Sequence, residues 1–160
     1  MSDAPTILDL LAPERLIVSR GCPSKWDLID QLVDLLPQGA GYTGDLAAAR
    51  QAVLARENQL TTGLEAGVAL PHGPLPPPSP PVAAFSVCPE GITFDALDGL
   101  PTHFVLLMVF GDDAAGRERH LLSLAEAVSL FSDDAHRSAL LSASTDVQLW
   151  DRLQAALARP

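Results

Sequence analysis

Few side chains in this sequence do chemistry near neutral pH, and the four histidines come first: His72, His103, His120 and His136. A neutral imidazole nitrogen can act as a nucleophile, a general base or a metal ligand in that range. Their spacing matches no metal-binding pattern such as H-E-x-x-H, and Cys22 and Cys88 stand alone, without a C-x-x-C step or paired Cys/His spacing. No metal is expected, and a metal-dependent hydrolase built on the four histidines is the weakest reading. The chain also lacks G-x-x-x-x-G-K-S/T and any other nucleotide signature, so ATP binding is not expected and no cofactor is implied.

Of the four, His72 has the most specific setting. The stretch from Arg56 to Gly73 reads R-E-N-Q-L-T-T-G-L-E-A-G-V-A-L-P-H-G. It leaves a helical pattern, turns through Gly63 and Gly67, enters the short apolar run Val68-Ala69-Leu70 and stops at Pro71-His72-Gly73. Pro71 has a fixed φ and no backbone donor, so it is expected to end the strand's ladder, leaving His72 exposed and oriented at the strand's end. Gly73 has no Cβ and lets another backbone approach closely. Alone, the setting also suits a packed histidine beside an ordinary turn. Arg56 and Glu57 fall at a helix C-terminus, where the helix dipole favours a cation. An equal alternative is that the Arg56 guanidinium neutralises a bound anionic group.

The Arg-Glu pair, the Thr-Gly turn, the Gly-Val-Ala-Leu strand and the Pro-His step follow one another as in a known family. In that order they resemble the enzyme IIA domains of the bacterial phosphotransferase system (PTS), narrowly the fructose/mannitol and nitrogen-regulatory type. The segment H-L-L-S-L-A from His120 is a second resemblance, and Gly91 to Val105, with its Ile92/Phe94 pair and Asp98-Gly99 turn, a third. The likeness covers about Leu8 to Leu157. It implies that His72 carries a phosphoryl group and that His120 packs near it, donating to a phosphoryl oxygen or holding His72 in the right tautomer. It also implies that Arg56 and Thr62 bind the phosphoryl group. The implied donor is the phosphocarrier HPr or its nitrogen-branch counterpart, and the acceptor an enzyme IIB or a regulated target protein. The chain shows neither a IIB segment nor a membrane-spanning IIC part, so it is expected to pass phosphate to a separate protein or to use its phosphorylation state as a signal. Its free-standing length favours regulation over sugar transport. The alternative is a non-catalytic binding or regulatory module of the same fold, resembling the cytoplasmic domain of anion exchangers.

These residues need a scaffold, and the periodicity supplies one. Arg15 to Ser19 reads as a first strand after an apolar patch, Ile7 to Leu11. Gly21-Cys22-Pro23 breaks the chain, and Ser24 with Asp27 opens a helix through Leu28, Ile29, Leu32, Val33 and Leu36, closed by Pro37 and Gly39. Thr43 is the expected cap of a second helix ending near Arg56-Glu57. Pro74 to Pro81, P-L-P-P-P-S-P-P, excludes helix and central strand and must be a surface loop or edge. Strands are expected at Val82–Val87, near Ile92–Phe94 and at His103–Phe110, the last apolar enough to be covered on both faces. A helix follows with Leu121, Leu124, Ala125, Val128 and Phe131 on one face and His120 at its edge. Two more run from Ser132-Asp133-Asp134 to about Leu141 and from Thr145 through Trp150, Leu153 and Leu157. His103 reads as structural and His136 as solvated. Strand, two helices, three or four strands and three helices, together with the resemblance, imply a single α/β domain over 1–160. Its expected form is a three-layer α/β/α sandwich with a mixed central sheet.

Composition limits the partners. Twenty acidic against ten basic residues give a formal charge of −10, which argues against nucleic acid, where affinity comes from basic groups. The acidic start, with Asp3 and Asp9, does not read as a signal peptide, and the longest strongly apolar run, Phe104 to Phe110, is too short to span a bilayer. Isolated cysteines suit a reducing compartment, so a cytoplasmic location is expected.

Overall fold

The computed structural model describes residues 6–22 and 24–158. The expected break at Pro23 and the acidic start at Asp3 lie outside them. The elements in order are α1 (Ile7–Leu10), β1 (Leu16–Val18), α2 (Lys25–Leu35), α3 (Leu46–Gln59), β2 (Val68–Ala69), β3 (His72–Leu75), β4 (Val82–Ile92), β5 (Thr102–Gly111), α4 (Ala114–Phe131), α5 (Asp134–Leu141) and α6 (Asp146–Leu157).

The sheet is mixed, as expected. Its order is β1-β4-β5-β2, with β3 also on β5. β4 and β5 pair antiparallel and form the spine, while β1 runs parallel to β4 and both β2 and β3 run parallel to β5. Alternation along β5 decides the layers. Phe104, Leu106, Met108 and Phe110 point into a core shared with Ala127, Leu130 and Phe131 of α4 and with Leu149 and Leu153 of α6. Val105, Leu107 and Val109 point into the other, with Leu28, Ile29, Leu32 and Val33 of α2 and Ala49 and Val53 of α3. A strand buried on both faces reads as a continuous apolar run, which is why periodicity alone could not give β5 its sides.

Four local expectations change. β4 is one long strand with an irregularity between Val87 and Ile92, so the two short strands expected there merge. Asp45, rather than Thr43, caps α3, its carboxylate accepting from Ala47 N at 2.9 Å. The patch at Ile7 forms a single helical turn. The buried face of α4 carries His120, Ser123, Ala127, Leu130 and Phe131, whereas Leu121 and Val128 are 64% and 50% exposed. That face follows helical spacing, but Ser123 and Ala127 sit where the helix meets the sheet while Leu121 and Leu122 are exposed. Hydropathy therefore gave the wrong phase, and His120 is a buried residue of the second turn rather than an edge residue.

Candidate functional site

Pro71 interrupts the edge without ending it. The backbone resumes at His72 as β3 and pairs with β5 in the register His72 to Met108 and Leu75 to Gly111. His72 thus opens a second edge strand instead of hanging off the first. Pro74 fits there because an edge strand has one side that needs no donor. Gly73 behaves as its type suggests: a Cβ there would lie 2.8 Å from Val53 N and 3.0 Å from Ala52 Cβ, so its absence lets β3 lie directly on α3. Three of the other prolines, Pro76, Pro78 and Pro80, border a separate hollow with Tyr42 to Asp45, whereas Pro74 borders the cleft that holds the histidine.

His72 is half-buried, and its Nδ1 lies 3.0 Å from the carbonyl oxygen of Leu70. A carbonyl only accepts, so Nδ1 carries the proton and Nε2 of the neutral ring keeps its lone pair. Burial holds the ring's pKa below the ordinary histidine value; the Leu70 bond and Glu57 oppose that shift and Arg56 adds to it. His72 is therefore neutral at pH 7, with one nitrogen committed and the other available.

His120 faces it, with ring centroids 4.5 Å apart and planes tilted by 41°. Phe110 lies almost flat against His120, at 4.3 Å and 12°, and holds the imidazole from behind. Burial, His72 and Arg56, in that order, push the His120 pKa down to about 4, so this ring is also neutral. Its Nδ1 is buried with no hydrogen-bond partner among the described residues. Such a group is costly and needs a reason.

Around the two rings is an open cleft of about 330 Å³ lined by Arg56, His72, Pro74, Phe110, Asp112, Arg117, His120 and Leu121. Arg56 stands at the end of α3 and also reaches the cleft. Its Nη1 donates to Leu60 O at 2.7 Å beyond the end of α3, and the side chain borders the cleft. Thr62 is placed differently from expectation: it is buried, absent from the cleft lining, and its hydroxyl donates to Glu57 Oε2 at 2.6 Å. His103 donates from Nδ1 to Cys88 O at 2.9 Å, and His136 stands on α5, far along the chain from the cleft, with Asp133 Oδ1 3.8 Å from its Nδ1. Among the described residues no cluster of His, Cys, Asp or Glu could hold a metal, and no helix is long and apolar enough to cross a membrane.

Sequence reasoning missed Arg117, Phe110 and Asp112. Arg117 sits three residues before His120, a spacing that puts both on one side of α4. Phe110 follows from the period-two alternation that begins at Phe104, once the side facing α4 is known. Asp112 pairs with Arg117 at 3.4 Å and could be read only after the turn at Gly111 was placed.

A neutral imidazole with one nitrogen free, a second neutral imidazole against it and two guanidiniums in an open cleft are chemically able to bind a small anionic group beside a nucleophile. The family model "Phosphoenolpyruvate-dependent sugar phosphotransferase system, EIIA 2" matches residues 9–156. The chain belongs to this EIIA family of the phosphotransferase system. It is similar to the fructose-specific EIIA component of Haloferax volcanii, 36% identical over 150 residues covering 92% of this chain and 95% of that protein. It is also similar to the nitrogen regulatory protein of Bradyrhizobium diazoefficiens, 33% identical over 143 residues, covering 89% and 90%. The fructose-specific EIIABC component of Bacillus subtilis is 30% identical over 145 residues, and the match spans only 22% of that longer protein. Among solved structures, the nitrogen regulatory protein IIA-Ntr of Neisseria meningitidis superposes with a TM-score of 0.78 at 27% identity, covering 94% of this chain and 97% of that one.

Proposed function

We propose that this protein is a histidine phosphoryl relay: Nε2 of His72 accepts a phosphoryl group from an HPr-like carrier and passes it to an enzyme IIB or a regulated target. The observation that carries this reading is the bond from His72 Nδ1 to Leu70 O, because it leaves Nε2 bare beside His120 and the two arginines.

In the step, the Nε2 lone pair forms the N–P bond as the bond from phosphorus to the carrier breaks, and the carrier's leaving group takes up a proton from solvent. The His72 ring becomes cationic while keeping its Nδ1 proton, and the Leu70 carbonyl stabilises that charge. Arg56 and Arg117 neutralise the phosphoryl oxygens, and His120 supplies a neutral N–H donor toward them. Most of the work in phosphoryl transfer is positioning and charge neutralisation, which these groups can provide without a strong base. Return of the group to a partner reverses the same steps.

Both fructose-specific and nitrogen-regulatory relatives support a relay, and a relay at His72 would serve either output. The direct test is transfer of labelled phosphate from phosphoenolpyruvate through enzyme I and HPr, or the nitrogen-branch carrier, to wild type and to His72→Gln. Base-stable, acid-labile label on wild type alone is expected. No label on the folded wild type with both carriers would overturn the relay and favour a binding module.

A further inference from the structure

Behind the cleft, and outside its lining, lies a buried polar chain that the relay chemistry does not use. The Glu57 side chain is fully buried, and Oε1 accepts from Lys25 Nζ at 3.1 Å. Thr62 N lies 3.1 and 3.0 Å from the two carboxylate oxygens, and the Thr62 hydroxyl donates to Oε2 at 2.6 Å. Lys25 is itself 6% exposed, and Asp95 closes over it with Oδ2 at 3.2 Å. One carboxylate therefore binds the start of α2 to the segment that follows α3.

That segment leads to the nucleophile. Thr62 O accepts from Leu70 N at 3.1 Å, Val68 O accepts from Leu64 N at 2.7 Å, and Gly63 bridges Ala69 in antiparallel fashion. Leu70 is thus gripped through its N–H by Thr62, and its carbonyl receives the His72 Nδ1 proton. We infer that Lys25, Glu57 and Thr62 are positioning residues that hold the Leu70 carbonyl where it fixes the His72 tautomer, so that the buried ion pair sets which ring nitrogen is the nucleophile. This rests on the relay reading for its kinetic consequence, though not for its structural one.

Stability alone does not account for the arrangement. Taking two charges out of water costs several kcal/mol per ion, and well-packed apolar residues often replace a buried pair at no loss. A carboxylate that binds one cation and two donors of a single residue instead gives that residue one permitted position. In histidine chemistry the wrong tautomer is expensive, because the reacting nitrogen then carries the proton.

The test uses the whole chain and two independent variants, Thr62→Val, which removes the hydroxyl at nearly constant volume, and Glu57→Gln, which removes the charge. Thr62→Ser is the rescue. The first readout is the His72 tautomer, from ¹⁵N shifts of the ring nitrogens at pH 8, without any carrier. Wild type and Thr62→Ser are expected to show a protonated Nδ1 and bare Nε2. Thr62→Val and Glu57→Gln should show a mixture, with carrier-dependent transfer slowed roughly fivefold in kcat, the factor that one weakened hydrogen bond carries, and KM for the carrier unchanged. Folded variants, judged by amide spectra, that keep the wild-type tautomer and rate would overturn the inference. So would variants that lose rate equally with Thr62→Ser. If no protein in the series accepts phosphate, the relay reading fails, and the tautomer measurement still decides this one.

Discussion

His72 and His103 make the same kind of bond from different strands, His72 at the start of β3 on the edge and His103 near the start of the central strand β5. Each is close to the start of a strand on β5 or paired with it, and each places Nδ1 about one hydrogen bond from a backbone carbonyl, 3.0 Å from Leu70 O and 2.9 Å from Cys88 O. The difference lies on the other side of the ring. His103 is covered by backbone, since a Cβ on Gly91 would lie 3.4 Å from its Nε2 and one on Gly67 3.3 Å from its Cδ2. His72 looks onto His120 and a cleft bordered by Arg56 and Arg117. A carbonyl bond makes a defined tautomer in both places. Only at His72 does the second nitrogen meet open space and cations, as the proposed nucleophile requires.

The strongest way to break this comparison is to exchange the outcomes. His72→Gln should remove all acid-labile label, whereas His103→Gln should keep full acceptance and lose about 1 kcal/mol of stability through its carbonyl bond. Label that depends on His103 would end the distinction. Next in size, His120→Ala should slow transfer roughly a hundredfold, the scale on which one preorganised donor acts, while leaving His72 as acceptor in single-turnover label. Arg117→Met tests a residue that the sequence did not single out. A loss of about tenfold in kcat/KM is expected, with a weaker dependence on salt than wild type shows.

Acidity sharpens the contrast further. Burial lowers the pKa of His72 and takes His120 down to about 4, so the acid limb of phosphate acceptance should fall below the ordinary histidine value of 6.5. The same shifts act on stability. Below pH 6.5 the unfolded chain takes up protons at these positions before the folded protein does, so the contribution of the neutral rings declines as the pH falls toward about 4 and is level below it. Denaturant midpoints of wild type and His120→Gln should converge across that window; parallel curves would contradict it. The smallest expected effect on chemistry comes from Gly73→Ala. Contact with Val53 N at 2.8 Å should cost about 1–3 kcal/mol by forcing β3 away from α3, read as a shift in thermal midpoint.

Much of the scaffold was legible in the residues. Ser24 and Thr145 cap the helices they were expected to open, and Asp133, within the expected start at Ser132-Asp133-Asp134, caps α5, because a side-chain oxygen near an exposed N–H is a local event. Gly73 was legible for the same reason: a missing Cβ has one main use beside a packed backbone. The buried face of α4 was not, since Leu121, Leu122 and Val128 outbid Ser123 and Ala127 on any hydropathy count. Close packing of helix on sheet favours the smaller residues, and no window along the chain contains the sheet. Thr62 shows a related limit. Its type fits a phosphoryl donor, but a buried Glu57 five residues earlier takes both its N–H and its hydroxyl.

The alternation of strands and helices, the singling out of His72 as the candidate acceptor and the acidic balance of the chain were legible in the sequence alone, since each depends on residue type and near neighbours. The tertiary structure decided which side of β5 faces which helix, that His120 lies against His72, and that Arg117 joins Arg56 at the cleft. These depend on contacts between residues tens of positions apart, where packing and burial rather than local preference set the geometry.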